Sequence, residues 1–531
     1  MKKLFTLLAL VAICSTSMAQ WLPQASGFTA ASRGIQYMDA VDGQVVWATA
    51  YDGAAKSATI NEFTRTINGG DLWTPGQVKG GNTYGIGNIC GISGDIAYVT
   101  LFNGVGNQDN TCGIYKTSDG GTTWVQLPGA LQGSASFANN VYFWNEQEGM
   151  CHGDVKDGYF EIYTTSNGGT TWTRVPKTSI TGGTVASGEG GWTSVIEAVG
   201  ENTIMFGTNK GKVYISNDRG LNWRISTTGI TPVSNGGINA LAFVDETHGL
   251  AVQTQTPVAV RRTADGGLTW ETVTPTGSFL TNDLTSVPGS AGTYISTGAA
   301  TGFTGISYSF DSGNTWTLFE GTADYQFLAT DFVDNATGWA GSFSVSATEG
   351  GMYVYNGILE EPLPPANLNA VVAGPVVTLT WTAPDPMGST FIGYKVWRNG
   401  TVIAPNITEL TYIDEVQTNG GYAYMVTAVY ENGESVPSNT VEVEITGIGV
   451  ENIEIVKNLR VYPNPSNGIL NLKADNKMNT VALVNLAGQV VFESAVSANE
   501  TAINTSGISE GFYLLNITTD AGIVTRKVSI R

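Results

Sequence analysis

One eight-residue pattern, [Ser/Thr]-x-[Asp/Asn]-x-Gly-x-x-Trp, constrains this chain more than any other feature. Thr117-Ser118-Asp119-Gly120-Gly121-Thr122-Thr123-Trp124 is one copy, and five more run Thr66 to Trp73, Thr165 to Trp172, Ser216 to Trp223, Thr263 to Trp270 and Ser309 to Trp316. Their tryptophans stand at 73, 124, 172, 223, 270 and 316, so the intervals are 51, 48, 51, 47 and 46 residues. Self-similarity at such a period means a repeat architecture.

Between boxes a second pattern recurs: an apolar strand, a polar turn, then an apolar strand opened by Gly. Val141 to Met150, Leu241 to Leu250 and Thr330 to Trp339 are clear copies, and weaker ones begin near Ile35, Ile89, Ile196 and Leu284. Each unit therefore supplies a hairpin (strands a and b), a strand c entering the box and a strand d leaving it at Trp. Four antiparallel strands per unit make a propeller blade. Seven hairpins face six boxes, but Trp21-Leu22-Pro23 resembles the strand that follows the box at Trp124, and the last unit stops at its third strand, Met352 to Tyr355. An N-terminal strand completing the last blade would close the ring and remove its open edges. The spacing predicts an all-β chain with a seven-bladed propeller over 20–358. The 67 glycines and only 13% charged residues suit short strands and tight turns.

Within the box, Gly permits the tight c-to-d turn, the Asp or Asn oxygen accepts backbone N–H groups, and Trp packs beside the sheet. Asn68, Asp119, Asn167, Asp218, Asp265 and Asp311 are read as structural for that reason, with Trp73, Trp124, Trp172, Trp223, Trp270 and Trp316. The pattern resembles the Asp-box, or bacterial neuraminidase (BNR) repeat, of sialidase-like propellers. That resemblance implies a fold and no activity, since unrelated functions share the box.

The 25 basic and 45 acidic side chains give a net charge of −20, which repels phosphate backbones and argues against nucleic acid as a partner. Lys2-Lys3, the apolar run Leu4 to Ile13 and the small-residue end Ser17-Met18-Ala19 read as a signal peptide over 1–19. No later stretch has the length and apolarity of a transmembrane helix. Cys90, Cys112 and Cys151 are too few and too scattered for a disulfide framework and read as small buried residues.

Strand alternation puts the a–b and c–d turns on one rim and the b–c and d–a loops on the other. The boxes occupy the first rim, so ligand chemistry is expected on the second. Sialidases clamp a carboxylate with three arginines, whereas here only Arg33 and Arg261 lie away from boxes. The loop rim carries the acids Asp154, Asp157 and Glu189, candidates for the acid and base of a glycosidase, although solvated loop acids have the same appearance. It also carries Trp192, His152, Tyr51 and Phe102, which with Asp154 could form a binding surface for sugar or peptide or simply pack between blades. Phe303, Tyr325 and Phe343 belong to the same rim. No metal-ligand spacing or cofactor motif is present, so neither is expected.

The repeat ends at the proline-rich linker Glu360-Glu361-Pro362-Leu363-Pro364-Pro365. Trp381, Tyr394 and Tyr424 on alternating strands, with Gly433 to Ser438 near the end, resemble a fibronectin type III sandwich over 362–446. Val461-Tyr462-Pro463-Asn464-Pro465, Leu486-Ala487-Gly488 and Gly511-Phe512-Tyr513-Leu514-Leu515 resemble, in order and spacing, the type A C-terminal sorting domain of the Por (type IX) secretion system over 454–531. The resemblance implies export through an outer-membrane translocon to the medium or the cell surface. The chain thus reads as a secreted or surface propeller binding extracellular glycan or protein, with a secreted glycoside hydrolase as the alternative.

Overall fold

The computed structural model describes residues 20–55, 59–81, 83–104, 108–133, 137–384, 391–430, 433–446 and 458–531. The signal-peptide reading of 1–19 lies outside them. The chain divides into two compact units that meet in sequence between Pro362 and Leu363.

Seven four-stranded antiparallel blades make up the first unit. Blade 1 runs Arg33–Ala40, Val46–Asp52, Glu62–Thr66 and Trp73–Gln77, and each later blade repeats that order, two of them with a short added strand on the outer edge. The seventh is built from both ends of the repeat region: Ala329–Phe332, Gly338–Ser346 and Glu349–Tyr355 are completed by Trp21–Ala25, in register from Trp21 opposite Tyr355 to Ala25 opposite Gly351. The first strands of neighbouring blades lie against one another around the ring, so they line its axis.

The box turns out alike in the six blades that carry one. In blade 2 the Thr117 hydroxyl accepts from Gly121 N at 2.8 Å, while Asp119 Oδ1 accepts from Thr123 N at 2.9 Å. The same pair of bonds recurs at Asn68, Asn167, Asp218, Asp265 and Asp311. Gly121 has φ +84°, and a Cβ there would meet the Phe63 ring at 2.3 Å, so both conformation and space demand glycine.

Each junction between blades holds an apolar cluster containing one tryptophan of the repeat. Trp73, Trp124, Trp172, Trp223, Trp270 and Trp316 serve six junctions. Trp21 serves the seventh, where it meets Phe319 and Phe332 edge-on at 5.8 and 5.9 Å. The N-terminal strand therefore replaces both the missing fourth strand and the missing box tryptophan. Cys90, Cys112 and Cys151 are buried and unbridged.

The second unit holds two separate main cores. A three-stranded sheet (Ala366–Ala373, Val376–Thr382, Thr411–Glu415) and a five-stranded one that includes Phe391–Arg398 and Gly420–Tyr430 share a core of Leu379, Trp381, Tyr394, Val396, Tyr424 and Val426. Residues 458–531 form five strands around Leu470, Leu472, Val481, Leu483, Leu515 and Ile517. There Ser466 exchanges backbone bonds with Ser529 and Arg531 at 2.8 Å each, stitching the start of this region to its last strand.

Candidate functional site: the axial channel

The first strand of each blade is apolar on the side that packs, yet several carry one polar residue that turns toward the next blade. Asn88 Oδ1 accepts from Val141 N at 2.9 Å, and Asn140 Oδ1 accepts from Ser194 N at 2.7 Å. Carboxylates make the same bond at four further junctions: Asp39 with Gly91 N, Glu197 with Phe243 N, Asp283 with Thr330 N and Asp331 with Ala40 N. At the remaining junction the Ser286 hydroxyl donates to Phe243 O at 2.8 Å. A hydrogen bond thus crosses every junction of the ring at its axis.

The four acids face the lower channel, a cavity of about 390 Å³. Removal from bulk water raises all of them: Asp39 and Asp283 to about 6, Glu197 and Asp331 to about 8. Asp331 is lifted further by Asp39 and Asp283, and Glu197 by Asp331 and Asp283. Among the described residues no Lys, Arg or His lines this cavity.

Above it lies a second cavity of about 690 Å³, within the roughly 300–1,000 Å³ range of small-molecule sites. Its walls come from b–c and d–a loops and adjoining strand ends of blades 1, 4, 5, 6 and 7, including Ser32, Gly53, Asn282, Ala299, Ala300 and Gln326. The Tyr37 hydroxyl of blade 1 reaches Thr193 Oγ1 of blade 4 at 2.9 Å, and Gln36 Nε2 donates to Tyr37 at 3.1 Å. In a ring of seven these blades are on opposite sides, so the pair is a bar across the axis. It makes the upper cavity a cup with a floor. A β-bulge between Gly191 and Ile196, with Ser194 at φ +59°, brings the blade 4 strand inward to meet it.

Phe343 forms one wall, at 6.3 Å from the Tyr51 ring; a Cβ on Gly53 would meet Phe343 at 2.5 Å, so glycine there lets the ring stand against the backbone. Several polar groups at the cup are committed to holding loops: Asn282 Nδ2 donates to Leu328 O, Gln326 Nε2 to Ala299 O, and Asn239 Oδ1 accepts from Thr254 N. The opposite ends of those amides have no protein partner among the described residues.

Of the sequence-derived candidates only Tyr51 and the rim aromatic Phe343 line this cup. Asp154 Oδ1 accepts from Asn139 Nδ2 at 3.0 Å and Gly191 N at 3.1 Å, and burial raises its pKa. Asp157 is an exposed turn residue paired with Arg174 at 2.8 Å. Buried Glu189 pairs with Lys212 at 2.7 Å and accepts from Ala186 N and the Thr208 hydroxyl, anchoring the long d–a loop. His152 is fully buried, stacked on Phe206 at 4.0 Å and bonded to Asn140 at 2.9 Å. Trp192 packs in the blade 4–5 cluster, and Phe102 packs on Phe137 at 5.1 Å. Burial lowers His152 to about 3, so its imidazole resonances are expected to stay those of the neutral ring from pH 8 to pH 4; only two histidines must be told apart in the spectrum.

Asp39, Glu197, Asp283, Asp331, Tyr37 and the cup amides were missed. Their signal was present in the sequence: a lone polar residue inside an otherwise apolar first strand, as in Met38-Asp39-Ala40 or Ile196-Glu197-Ala198.

In fold, the chain is similar to YCF48 from Cyanidioschyzon merolae (15% identity, 64% of this chain and 99% of that one, TM-score 0.45). It is also similar to the GH74 xyloglucanase of Xanthomonas campestris (12%, 95% and 87%, 0.42) and to PorZ, a surface component of the type IX secretion system of Porphyromonas gingivalis (12%, 94% and 70%, 0.26). An amylopullulanase of Thermoanaerobacter thermohydrosulfuricus is 41% identical over 88 residues, 16% of this chain and 6% of that protein. Residues 460–531 match the secretion system C-terminal sorting domain family of the Por system, which marks this chain as one exported by the type IX machinery to the medium or the cell surface.

Proposed function

We propose that the exported propeller is a binding protein that takes an extracellular ligand, a glycan or a protein segment, into the cup at the loop rim. The observation that carries this reading is the cup itself: a floored cavity on the axis, walled by Phe343, Tyr51 and Leu328 and edged by amides with uncommitted ends. Such a mixture orients a ligand without chemistry. Binding is favoured over hydrolysis because a glycosidase of the usual kind needs two carboxyls flanking one bond. Among the described residues, Asp283 is the one carboxylate at the cup, and Asp154, Asp157 and Glu189 are engaged elsewhere.

Ala300 stands exposed at the mouth. The Ala300→Trp substitution should obstruct the mouth of the cup and weaken capture of any ligand found on glycan and peptide panels at least tenfold, with the melting temperature unchanged. Undiminished capture would place the binding surface elsewhere and overturn the reading. Release of reducing sugar by the wild-type protein would overturn it in favour of the hydrolase.

A further inference from the structure

The bar, the amides and the electrostatics of the axis together narrow what the cup can hold. From the free ends of Asn282, Gln326 and Gln36 the cup offers acceptors, and from Asn239 a donor, all neutral. Neutral groups of both kinds, close together, match vicinal hydroxyls, each of which donates and accepts. Phe343 and Tyr51 supply the apolar face that a pyranose ring needs on one side. Beyond the cup the same rim exposes Phe303 and Tyr325, 64% and 49% accessible, on the loops of blades 6 and 7.

Charge excludes the acidic sugars. Among the described residues neither cavity is lined by a cation, and Asp283 borders both. The nearest basic group in sequence to the cup wall, Arg33, is held between Asp52 at 2.6 Å and Glu62 at 2.9 Å. A uronate or sialate carboxylate would therefore enter a negative, cation-free space with no bidentate donor to meet it.

We infer that the cup receives the terminal ring of an uncharged glycan, with Phe343 and Tyr51 against its apolar face and the amides of Asn239, Asn282 and Gln326 on its hydroxyls, and that acidic glycans are rejected. This rests on the reading of the cup as the ligand site. Asp283 is then the specificity residue, because it brings negative charge to the floor. Asparagine in its place would keep the acceptor for Thr330 N, as Asn88 and Asn140 do at their own junctions.

The test is calorimetric titration of the full chain with neutral hexose oligomers and with their uronate counterparts of the same linkage. Neutral oligomers are expected to bind at least tenfold more tightly. Phe343→Ala should cost them a further tenfold, and Asp283→Asn should narrow the gap by raising uronate affinity alone. Equal binding of both oligomers, or a gap unmoved by Asp283→Asn, would overturn the ligand class. If only peptides bind and Ala300→Trp abolishes that binding, the class fails while the cup stands as the site. If neutral oligomers bind and Ala300→Trp leaves them untouched, both readings fail together.

Discussion

Trp21→Ala is expected to unlatch the ring. Trp21 is 5% exposed and packs on Phe319, Phe332 and Tyr355, with ring centroids 5.3 to 5.9 Å away. Truncating a buried aromatic of this size costs about 3–5 kcal/mol, a large part of the roughly 5–15 kcal/mol that holds a typical domain folded. Here the loss falls on the strand that closes the circle. Trp21–Ala25 is joined to Glu349–Tyr355 by five residue pairs, and without it the last blade ends on an open edge. Urea unfolding should show a lower midpoint, and limited proteolysis should cut first near the Glu349–Tyr355 edge. Trp21→Phe keeps most of the buried surface and should restore most of the stability. A Trp21→Ala protein within 1 kcal/mol of wild type, estimated on the same scale, would mean that the closure contributes little.

That latch was legible in the sequence because its parts are apolar and periodic. Six boxes against seven hairpins demanded a donor for the last blade, and Trp21-Leu22-Pro23 was the one remaining strand that matched. The loop rim was legible too, since alternation fixes which turns share a side. The cup was not, because its residues come from five blades and none carries a motif. Tyr37 and Thr193 are 156 positions apart and meet only because a seven-membered circle puts blade 4 opposite blade 1. The acids singled out instead, Asp154, Asp157 and Glu189, drew attention by clustering along the chain. In a propeller such neighbours usually brace one loop, as Glu189 does with Lys212 and Ala186 N. Residues that converge on the axis are spaced about one blade apart, as Asp283 and Asp331 are. A search for lone polar residues in the first strands, at the repeat period, would have found them.

Those same acids set a pH dependence opposite to the usual one. A carboxyl with a raised pKa holds its proton more tightly in the folded chain than in the unfolded one. Its stabilising contribution is complete below the unfolded value, near 4, and is lost as pH rises through the folded value. For Glu197 and Asp331 that folded value is about 8, so the propeller should weaken steadily from pH 4 to pH 8, where the unfolded chain ionises these carboxyls and the folded channel keeps them protonated. Glu197→Gln and Asp331→Asn remove the ionisation and retain an oxygen to accept from Phe243 N and Ala40 N. Asn88 and Asn140 already make the equivalent bond without charge. Each variant is expected to be more stable than wild type at pH 8, by on the order of 3 kcal/mol, with the difference vanishing near pH 4. The two gains should not add, because Asp331 is one of the groups that raise Glu197, and removing it relieves that neighbour. Urea unfolding at pH 4, 6 and 8 measures this directly. Variants that lose stability at pH 8 would mean that the ionised carboxylates hold the blades together, and the ring of clips would then depend on charge rather than on the shared acceptor geometry.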